Sequence, residues 1–348
     1  MAARRLGVVL MIVYAAAGPA SVRGAGPSVQ VVPKEAERRV DVLVEGQPFT
    51  SYIWPTSVKK PVLFPIRTDR GAVVTRGFPL EPRPREHTDH PHHVGLWLNY
   101  GDVNGVDFWG NSGQASEVGK LGTIVHRKID SARGGEGRGE LVVSADWVVQ
   151  GGGALLSERT RYVFGAAPGL RSIDRITTLT TLGEKVVFHD TKEGMFGMRM
   201  NRGLEQPATK PEVYTDAAGR PTTVPVLDNE GVTGLYLSSE GKTGDAVWGT
   251  RARWVKLTGN VDGQPVTVAI LDHPKNPGHP THWHARGYGL FAANPLGVKD
   301  FTAGKAQMNF TLEPRQAATF TYRVLILSEE ATPQRLETEY HRFIEEAP

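Results

Sequence analysis

The sequence predicts an all-β protein, built as a large two-sheet antiparallel β-sandwich with a C-terminal helix. Apolar and polar residues alternate along much of the chain, as they do over 141–149 and again over 320–326. A period of two is typical of strands that bury one face. The 40 Gly and 24 Pro fall mostly between such segments, where turns are expected. Many short strands are most simply accommodated by two sheets packed on a common core.

Short segments rich in β-branched and aromatic residues mark the individual strands. They are 62–66, 123–129, 141–149, 159–164, 170–182, 185–189, 246–257, 265–271, 288–292 and 320–326. The Gly-rich stretches 134–139 and 151–153 are expected to be hairpin turns, since neither lies between a strand and a helix as a phosphate-binding loop does. The Pro-rich run 78–85 is expected to be a stiff loop at the rim, because Pro lacks a ladder donor.

One helix is predicted, at the C-terminus. Thr332 is a suitable N-cap, and Pro333 suits the first turn. The apolar residues that share one face of this helix are Leu336, Tyr340, Phe343 and Ile344. We expect that face to pack on a sheet.

Residues 1–25 have the pattern of a signal peptide. Arg4 and Arg5 precede an apolar run over 6–17, and mostly small residues follow at 20–25. We therefore expect cleavage near residue 25, a secreted or periplasmic protein, and a single β-sandwich domain over 27–348.

Composition excludes several classes of protein. The whole chain has 40 Lys and Arg against 37 Asp and Glu, and the predicted leader holds three of the Arg and no acid, so the mature chain is close to neutral. No basic footprint for nucleic acid remains, and no later segment is apolar enough to span a bilayer. The absence of Cys rules out disulfides, thiolate nucleophiles and iron–sulfur clusters.

Four of the 11 histidines fall within seven positions, at His87, His90, His92 and His93. Imidazole can carry protons near neutral pH or bind a metal. In an extended chain His90 and His92 would point the same way and His93 elsewhere. The alternative is that these rings only cap loop backbone groups.

Charged residues follow an apolar strand at 189–194, where Asp190, Lys192 and Glu193 can supply an acid, a base and a charge partner. Taken alone, a solvated turn explains them equally well. A second Pro-rich loop, 273–286, carries another His-x-His pair, His282 and His284. If both loops reach one rim, imidazoles and the acidic segment would face one cavity.

Aromatic, acidic and Arg side chains near these loops are candidate substrate contacts. They are Trp97, Asp102, Asp107, Trp109, Arg251 and Arg253. Indole faces stack on sugar rings, and an Arg pair on one strand can bind a carboxylate or vicinal hydroxyls, with Trp248 or Trp254 beside it. The alternatives are that the two Trp side chains belong to the core and that the Arg pair forms salt bridges on an outer strand.

The same segments carry a resemblance to the secreted bacterial family named "methane oxygenase PmoA". The shared motifs, in order, are TRGFP (75–79), DHPHHVGLW (89–97), GDVNGVDFW (101–109), DTKEG (190–194), WGTRARW (248–254), DHP (272–274) and YGLFAANP (288–295). The resemblance implies a galactose-mutarotase-like β-supersandwich with a sugar on its concave sheet face, and a role alongside secreted sugar-processing enzymes. Many members have Arg directly after the double His, where this chain has Val94; if that Arg contributes to substrate binding in relatives, the contribution is missing or replaced here.

The leading hypothesis is a secreted carbohydrate-active enzyme of the lyase, hydrolase or epimerase type, without a redox cofactor. The residues expected to carry its acid–base chemistry are His90, His92, His93, Lys192 and Glu193. A copper or iron oxygenase is the first alternative, with a divalent metal on His90, His92, His282 and His284. A non-catalytic carbohydrate-binding protein is the second. The sequence leaves the sugar, the linkage and the oligomeric state open.

Overall fold

The computed structural model describes residues 26–110 and 120–347. Its strands are β1 (Ser28–Lys34), β2 (Arg39–Val44), β3 (Gln47–Ile53), β4 (Val62–Leu63), β5 (Leu96–Tyr100), β6 (Val106–Asp107), β7 (Lys120–Arg133), β8 (Gly135–Glu136), β9 (Arg138–Val149), β10 (Ala154–Ala167), β11 (Leu170–Thr181), β12 (Val186–Phe188), β13 (Gly194–Arg199), β14 (Leu235–Ser238), β15 (Trp254–Val261), β16 (Gln264–Asp272), β17 (His282–Arg286), β18 (Leu290–Asn294), β19 (Phe310–Leu312) and β20 (Ala317–Leu327). The helices are α1 (Val298–Phe301), α2 (Pro333–Glu346) and the 3₁₀ turns Glu35–Glu37, Arg202–Leu204 and Gly244–Val247. The predicted signal peptide lies outside the described residues.

Two 9-stranded sheets form the body of the protein. The first has the order β17-β18-β13-β5-β4-β3-β2-β1-β8, and the second has the order β14-β15-β16-β20-β11-β10-β9-β7-β6. Strands β12 and β19 pair separately. Except for β6 on β7, the strand pairs are antiparallel, as the alternating apolar pattern requires. The two-sheet β fold predicted from the sequence is confirmed.

The main core lies between the two sheets, because alternate residues of the strands point inward. On β5, Leu96, Leu98 and Tyr100 join this core, whereas Trp97 belongs to a smaller cluster on the other face of the same sheet. The first sheet is therefore buried on both faces in this region. Gly197 of the neighbouring β13 makes room for the indole, since a Cβ there would lie 2.8 Å from the Trp97 ring.

Helix α2 closes the outer face of the second sheet. Thr332 caps it by accepting a hydrogen bond from the backbone N–H of Arg335 at 3.2 Å. The predicted apolar residues pack in a separate cluster with Trp254 and Leu271. The C-terminal helix is thus confirmed, with its cap and its buried face. In the part of the chain that the structure describes, no helix is long and apolar enough to cross a membrane.

Two predicted strands are shorter in the structure. The segment 62–66 keeps only Val62–Leu63 as a strand, because Pro65 interrupts the ladder. The segment 246–257 becomes regular only from Trp254, since Gly249 takes a left-handed φ of 70° and a 3₁₀ turn precedes it. The expected strand alternation of Arg251 and Arg253 is therefore not formed.

Candidate functional site

A cleft of about 600 Å³ opens beside four strands of the first sheet that adjoin one another, β17, β18, β13 and β5. Residues from several loops line it together with strand residues. The lining includes His87, His90, His93, Lys192, Glu193, Gln206, Trp248, His284, Arg286 and Tyr288. These side chains come from distant parts of the sequence, and the strand order brings them together.

Arg76 organises the loop that carries the first histidine cluster. Its guanidinium is fully buried and donates hydrogen bonds of 2.8–3.1 Å to the backbone carbonyls of His87, Asp89, His90 and His93. One planar cation thus satisfies carbonyls that a turn leaves without ladder partners. The histidines are consequently held by a buried support, which a loop that merely capped its own backbone would lack.

The Asp89 carboxylate links this support to the His90 ring. It accepts hydrogen bonds from Arg199, at 2.6 and 3.1 Å, and from Arg76 at 3.1 Å, and it contacts Nδ1 of His90. Burial by itself would raise the pKa of Asp89. The charge of Arg199, the hydrogen bond with His90 and the charge of Arg76 outweigh burial and hold that pKa well below its usual range. Asp89 is therefore ionised and accepts a hydrogen bond from the Nδ1–H of His90.

Parallel rings fix the plane of the His90 imidazole. It stacks on Tyr288, with centroids 5.5 Å apart, and on His93 at 4.8 Å, and His93 stacks in turn on Trp97 at 5.3 Å. The extended geometry expected for this loop is not formed, because His90 has a left-handed φ of 43°. His90 and His93 are thus stacked neighbours, and His92 meets them edge-on.

The other two histidines of the Asp89 loop are buried. Burial lowers the pKa of His92 to about 2 and that of His93 well below its usual range. Lys60 lies behind them and donates to the His92 carbonyl at 2.8 Å, and burial lowers its pKa to about 7. His92 does not line the cleft, whereas His93 contributes to its wall.

Lys192 and Glu193 also line the cleft, and they lie immediately before β13. Their side chains are partly exposed and pair with each other, Nζ to Oε1, at 2.7 Å. Asp190 has a different role, since its carboxylate accepts backbone N–H groups from Lys299, Met308 and Asn309. The residues of this acidic segment therefore have two roles: Asp190 holds neighbouring backbone in place, and Lys192 and Glu193 form a charged pair at the cleft.

His284 joins the cleft from β17. Its neighbours Trp283 and Ala285 point into the main core, so strand alternation turns His284 outward. Its Nδ1 donates to the carbonyl of Lys192 at 2.8 Å. Burial, and to a lesser extent the charge of Arg286, lowers the pKa of His284 to about 3, which keeps the ring neutral.

Other predicted contacts lie away from the cleft. His282 stacks on Phe301 at 5.3 Å, and burial lowers its pKa to about 4. Asp102 and Asp107 accept backbone N–H groups within their own turns, as in the bond from Gly105 to Asp102 at 2.9 Å. None of the three lines the cleft: the two carboxylates bond to local backbone, and the His282 ring packs against α1.

The aromatic and Arg candidates are also placed differently from the prediction. Trp97 and Trp109 are buried in the outer cluster together with Val94, so neither indole offers a free face, and an Arg in place of Val94 would lie inside that cluster. Arg251 donates to carbonyls of the 278–280 loop. Arg253, just before β15, pairs with Glu337 of α2 at 2.9 Å, so it forms the salt bridge of the alternative interpretation without belonging to a strand.

The residues that sequence reasoning missed are those that hold or face the His90 ring. Arg76 and Tyr288 stood inside shared motifs without an assigned role, and Arg199 stood in none of them. Arg199 lies on β13, whose sequence has the apolar pattern of a core strand. Its guanidinium is 4.7 Å from the centre of the Tyr288 ring. No local pattern marks a buried cation whose partner lies 110 positions away.

The histidine pairs do not converge as a metal set. Among residues 26–110 and 120–347, no group of three or more His, Asp or Glu side chains is placed to hold a metal ion. His90 and His284 line the cleft, whereas His92 and His282 lie outside its lining. The four imidazoles that do line it are His87, His90, His93 and His284.

The chain belongs to a protein family described as "Family of unknown function (DUF6807)", whose model matches residues 39–341. This description assigns no activity, and the resemblance to the "methane oxygenase PmoA" family stays a prediction. No curated protein matches the sequence.

Several solved structures resemble this chain at low identity. The galactosidase domain of the alpha-galactosidase-sucrose kinase AgaSK is 10% identical over 86% of this chain and 42% of its own, with a TM-score of 0.39. A galactose mutarotase-like protein from Clostridium acetobutylicum is 9% identical over 86% of this chain and 98% of its own, with a TM-score of 0.38. A beta-arabinopyranosidase is 10% identical over 88% of this chain and 39% of its own, with a TM-score of 0.32. This chain thus spans less than half the length of the two glycosidase chains.

Proposed function

We propose that this protein is a secreted carbohydrate-active enzyme that moves protons at a sugar carbon or a glycosidic oxygen. The observation that carries the proposal is that one cleft is lined by both an Asp-supported imidazole, His90, and the ion pair Lys192–Glu193. A volume of about 600 Å³ suits a sugar-sized ligand, and the lining is mostly polar.

His90 is suited to act as the base. Asp89 contacts its Nδ1, and Tyr288 and His93 stack on the ring, so Nε2 is the ring nitrogen left for a substrate. Since Nδ1 carries the proton, Nε2 has the free electron pair. A carboxylate that orients an imidazole in this way stabilises the imidazolium formed when the base takes up a proton.

The Lys192–Glu193 pair can supply the complementary acid. Lys192 and Glu193 share a charged hydrogen bond at 2.7 Å and are partly open to the cleft, so a proton can be delivered from this pair to a leaving oxygen or a carbanion. His284, held neutral and fixed to the Lys192 carbonyl, lies beside the pair and can hydrogen-bond a sugar hydroxyl. Elimination, hydrolysis and epimerisation can all use an acid and a base that lie in one cleft.

The test is product analysis by mass spectrometry after incubation with neutral, 3-keto and uronic-acid oligosaccharides. We expect the wild-type protein to convert at least one of these sugars, and His90→Asn and Glu193→Gln to reduce the rate on the order of 100-fold or more. His341→Asn is the matched control, because His341 is exposed on α2.

Three results would overturn the proposal. Binding of a sugar without any product would indicate a carbohydrate-binding protein. An unchanged rate in His90→Asn would contradict the assignment of His90 as the base. Activity that is lost in EDTA and restored by copper or iron would favour the metal-dependent alternative.

A further inference from the structure

Arg286 is a cation of the cleft whose charge no carboxylate matches. It ends β17, is half-buried, and its guanidinium carbon lies 4.8 Å from the centre of the Trp248 ring. Within the described part of the chain, no Asp or Glu forms an ion pair with it. The neighbouring cations differ, since Lys192 pairs with Glu193 and Arg199 pairs with Asp89.

The indole presents this guanidinium in a defined way. A cation stacked on an aromatic face keeps its plane, so its N–H donors remain at the edge of the guanidinium. Trp248 belongs to the same wall of the cleft, and its own Nε1–H is buried without a hydrogen-bond partner in the described residues. The cleft therefore offers the guanidinium donors of Arg286, to which no carboxylate among residues 26–110 and 120–347 is paired.

Arg286 is also close to the residues that would carry out the chemistry. After burial, its charge is the largest influence that lowers the pKa of His284, and it acts on Tyr288 as well. Both neighbours adjoin the proposed chemistry, since Tyr288 stacks on His90 and Nδ1 of His284 bonds to the carbonyl of Lys192. A group bound by Arg286 would thus be held beside the carbon or oxygen at which the proton moves.

We propose that Arg286 binds the carboxylate of a uronic acid residue, so that the substrate is an acidic glycoside. This inference rests on the proposed function of the cleft. The guanidinium fork matches a planar carboxylate in a bidentate manner, and neutralising that charge stabilises negative charge that develops on the adjacent carbon when a proton is removed. The carboxylate fixes the orientation of the sugar, and His90 faces the ring from the side.

The experiment compares matched substrates on the full mature chain. Two of the substrates are oligosaccharides of a hexuronic acid and the methyl esters of the same oligosaccharides. The other two are the corresponding neutral hexose oligosaccharides, without and with a sulfate ester. We expect kcat/KM to be highest for the free acid and on the order of 100-fold lower for the ester, which keeps the shape and loses the charge.

Variants of Arg286 locate the effect. Arg286→Gln is expected to reduce kcat/KM on the uronic acid on the order of 100-fold and to leave the slower reaction of the ester nearly unchanged. Arg286→Lys, which keeps the charge and loses the fork, should fall between the two. Arg159→Gln removes the same charge from an exposed position on β10 and serves as the control.

The outcomes separate this inference from the function on which it rests. A preference for neutral sugars would contradict the binding of a carboxylate by Arg286, and so would an equal loss of kcat/KM on acid and ester in Arg286→Gln. Either result would still agree with the proposed enzymatic function. Preference for the sulfate ester overturns the uronic acid in favour of a sulfated sugar. No conversion of any substrate removes both proposals together.

Discussion

Two Pro-rich, His-rich loops of this protein have similar internal supports and different surroundings. In each, an Arg donates to several loop carbonyls, Arg76 in the first loop and Arg251 in the second. In each, a carboxylate contacts Nδ1 of a histidine, Asp89 with His90 and Asp272 with His279 at 2.8 Å. Both carboxylate-bound histidines can be compared with the cleft: His90 lines it, whereas His279 does not.

The partners of the two carboxylates explain the difference. Asp89 accepts from two buried guanidinium groups, and these keep it charged beside a half-exposed ring. Asp272 accepts from neutral donors, the side chain of Asn276 and the backbone of Thr281, each at 2.8 Å. The first arrangement orients an imidazole toward a cleft, and the second only closes a loop. A histidine with a carboxylate partner is thus insufficient evidence of a site.

Replacing each of the two carboxylates by an amide should show the largest difference in activity between the two loops. Asp89→Asn lets the amide donate to Nδ1 of His90, which moves the proton to Nε2 and removes the base, so we expect activity to fall on the order of 1000-fold. Asp272→Asn should keep most of the activity. Product formation measures both effects, and circular dichroism establishes that each variant is folded. A comparable loss in both would show that the loops share one task.

Removing the two Arg supports should separate the loops by stability. Arg76→Met removes a buried donor from four loop carbonyls, of which that of His90 keeps the N–H of His93, and we expect the free energy of unfolding to fall by about 3 kcal/mol. Arg251 is exposed, so water can replace it in Arg251→Met, and a loss of about 1 kcal/mol or less is expected. Urea denaturation measures both values. Equal losses would mean that burial does not distinguish the two supports.

His284 is expected to make the folded protein less stable at acid pH. Because its pKa is about 3 in the folded protein and 6.5 when unperturbed, the unfolded chain takes up the proton first as the pH falls. Stability is therefore lost on acidification below pH 6.5, and this residue contributes about 2 kcal/mol of that loss by about pH 5. His284→Asn should flatten the dependence of the unfolding free energy on pH by this amount. His341→Asn, an exposed control, should leave the slope unchanged, and a slope unaffected by His284→Asn would contradict the assignment.

The sequence by itself determined the fold class, the C-terminal helix and the segments that carry reactive side chains. Period-two alternation, turn residues and an N-cap are local signals, and local interactions decide those features. The sequence could also place Lys192, Glu193 and His284 as candidates, because each lies in a polar interruption of an apolar pattern.

Only the tertiary structure decided which candidates face one cleft. His90 turned toward His93 because its backbone is left-handed, and period-two reasoning applies only to extended chain. Trp97 and Trp109 went to the core because the first sheet is covered on both faces, which no local pattern shows. Arg199 reached Asp89, and Lys192 reached His284, because β13 pairs with β5 on one side and with β18, the partner of β17, on the other. Strand order is set by packing of the whole chain, and the composition of the cleft follows from it.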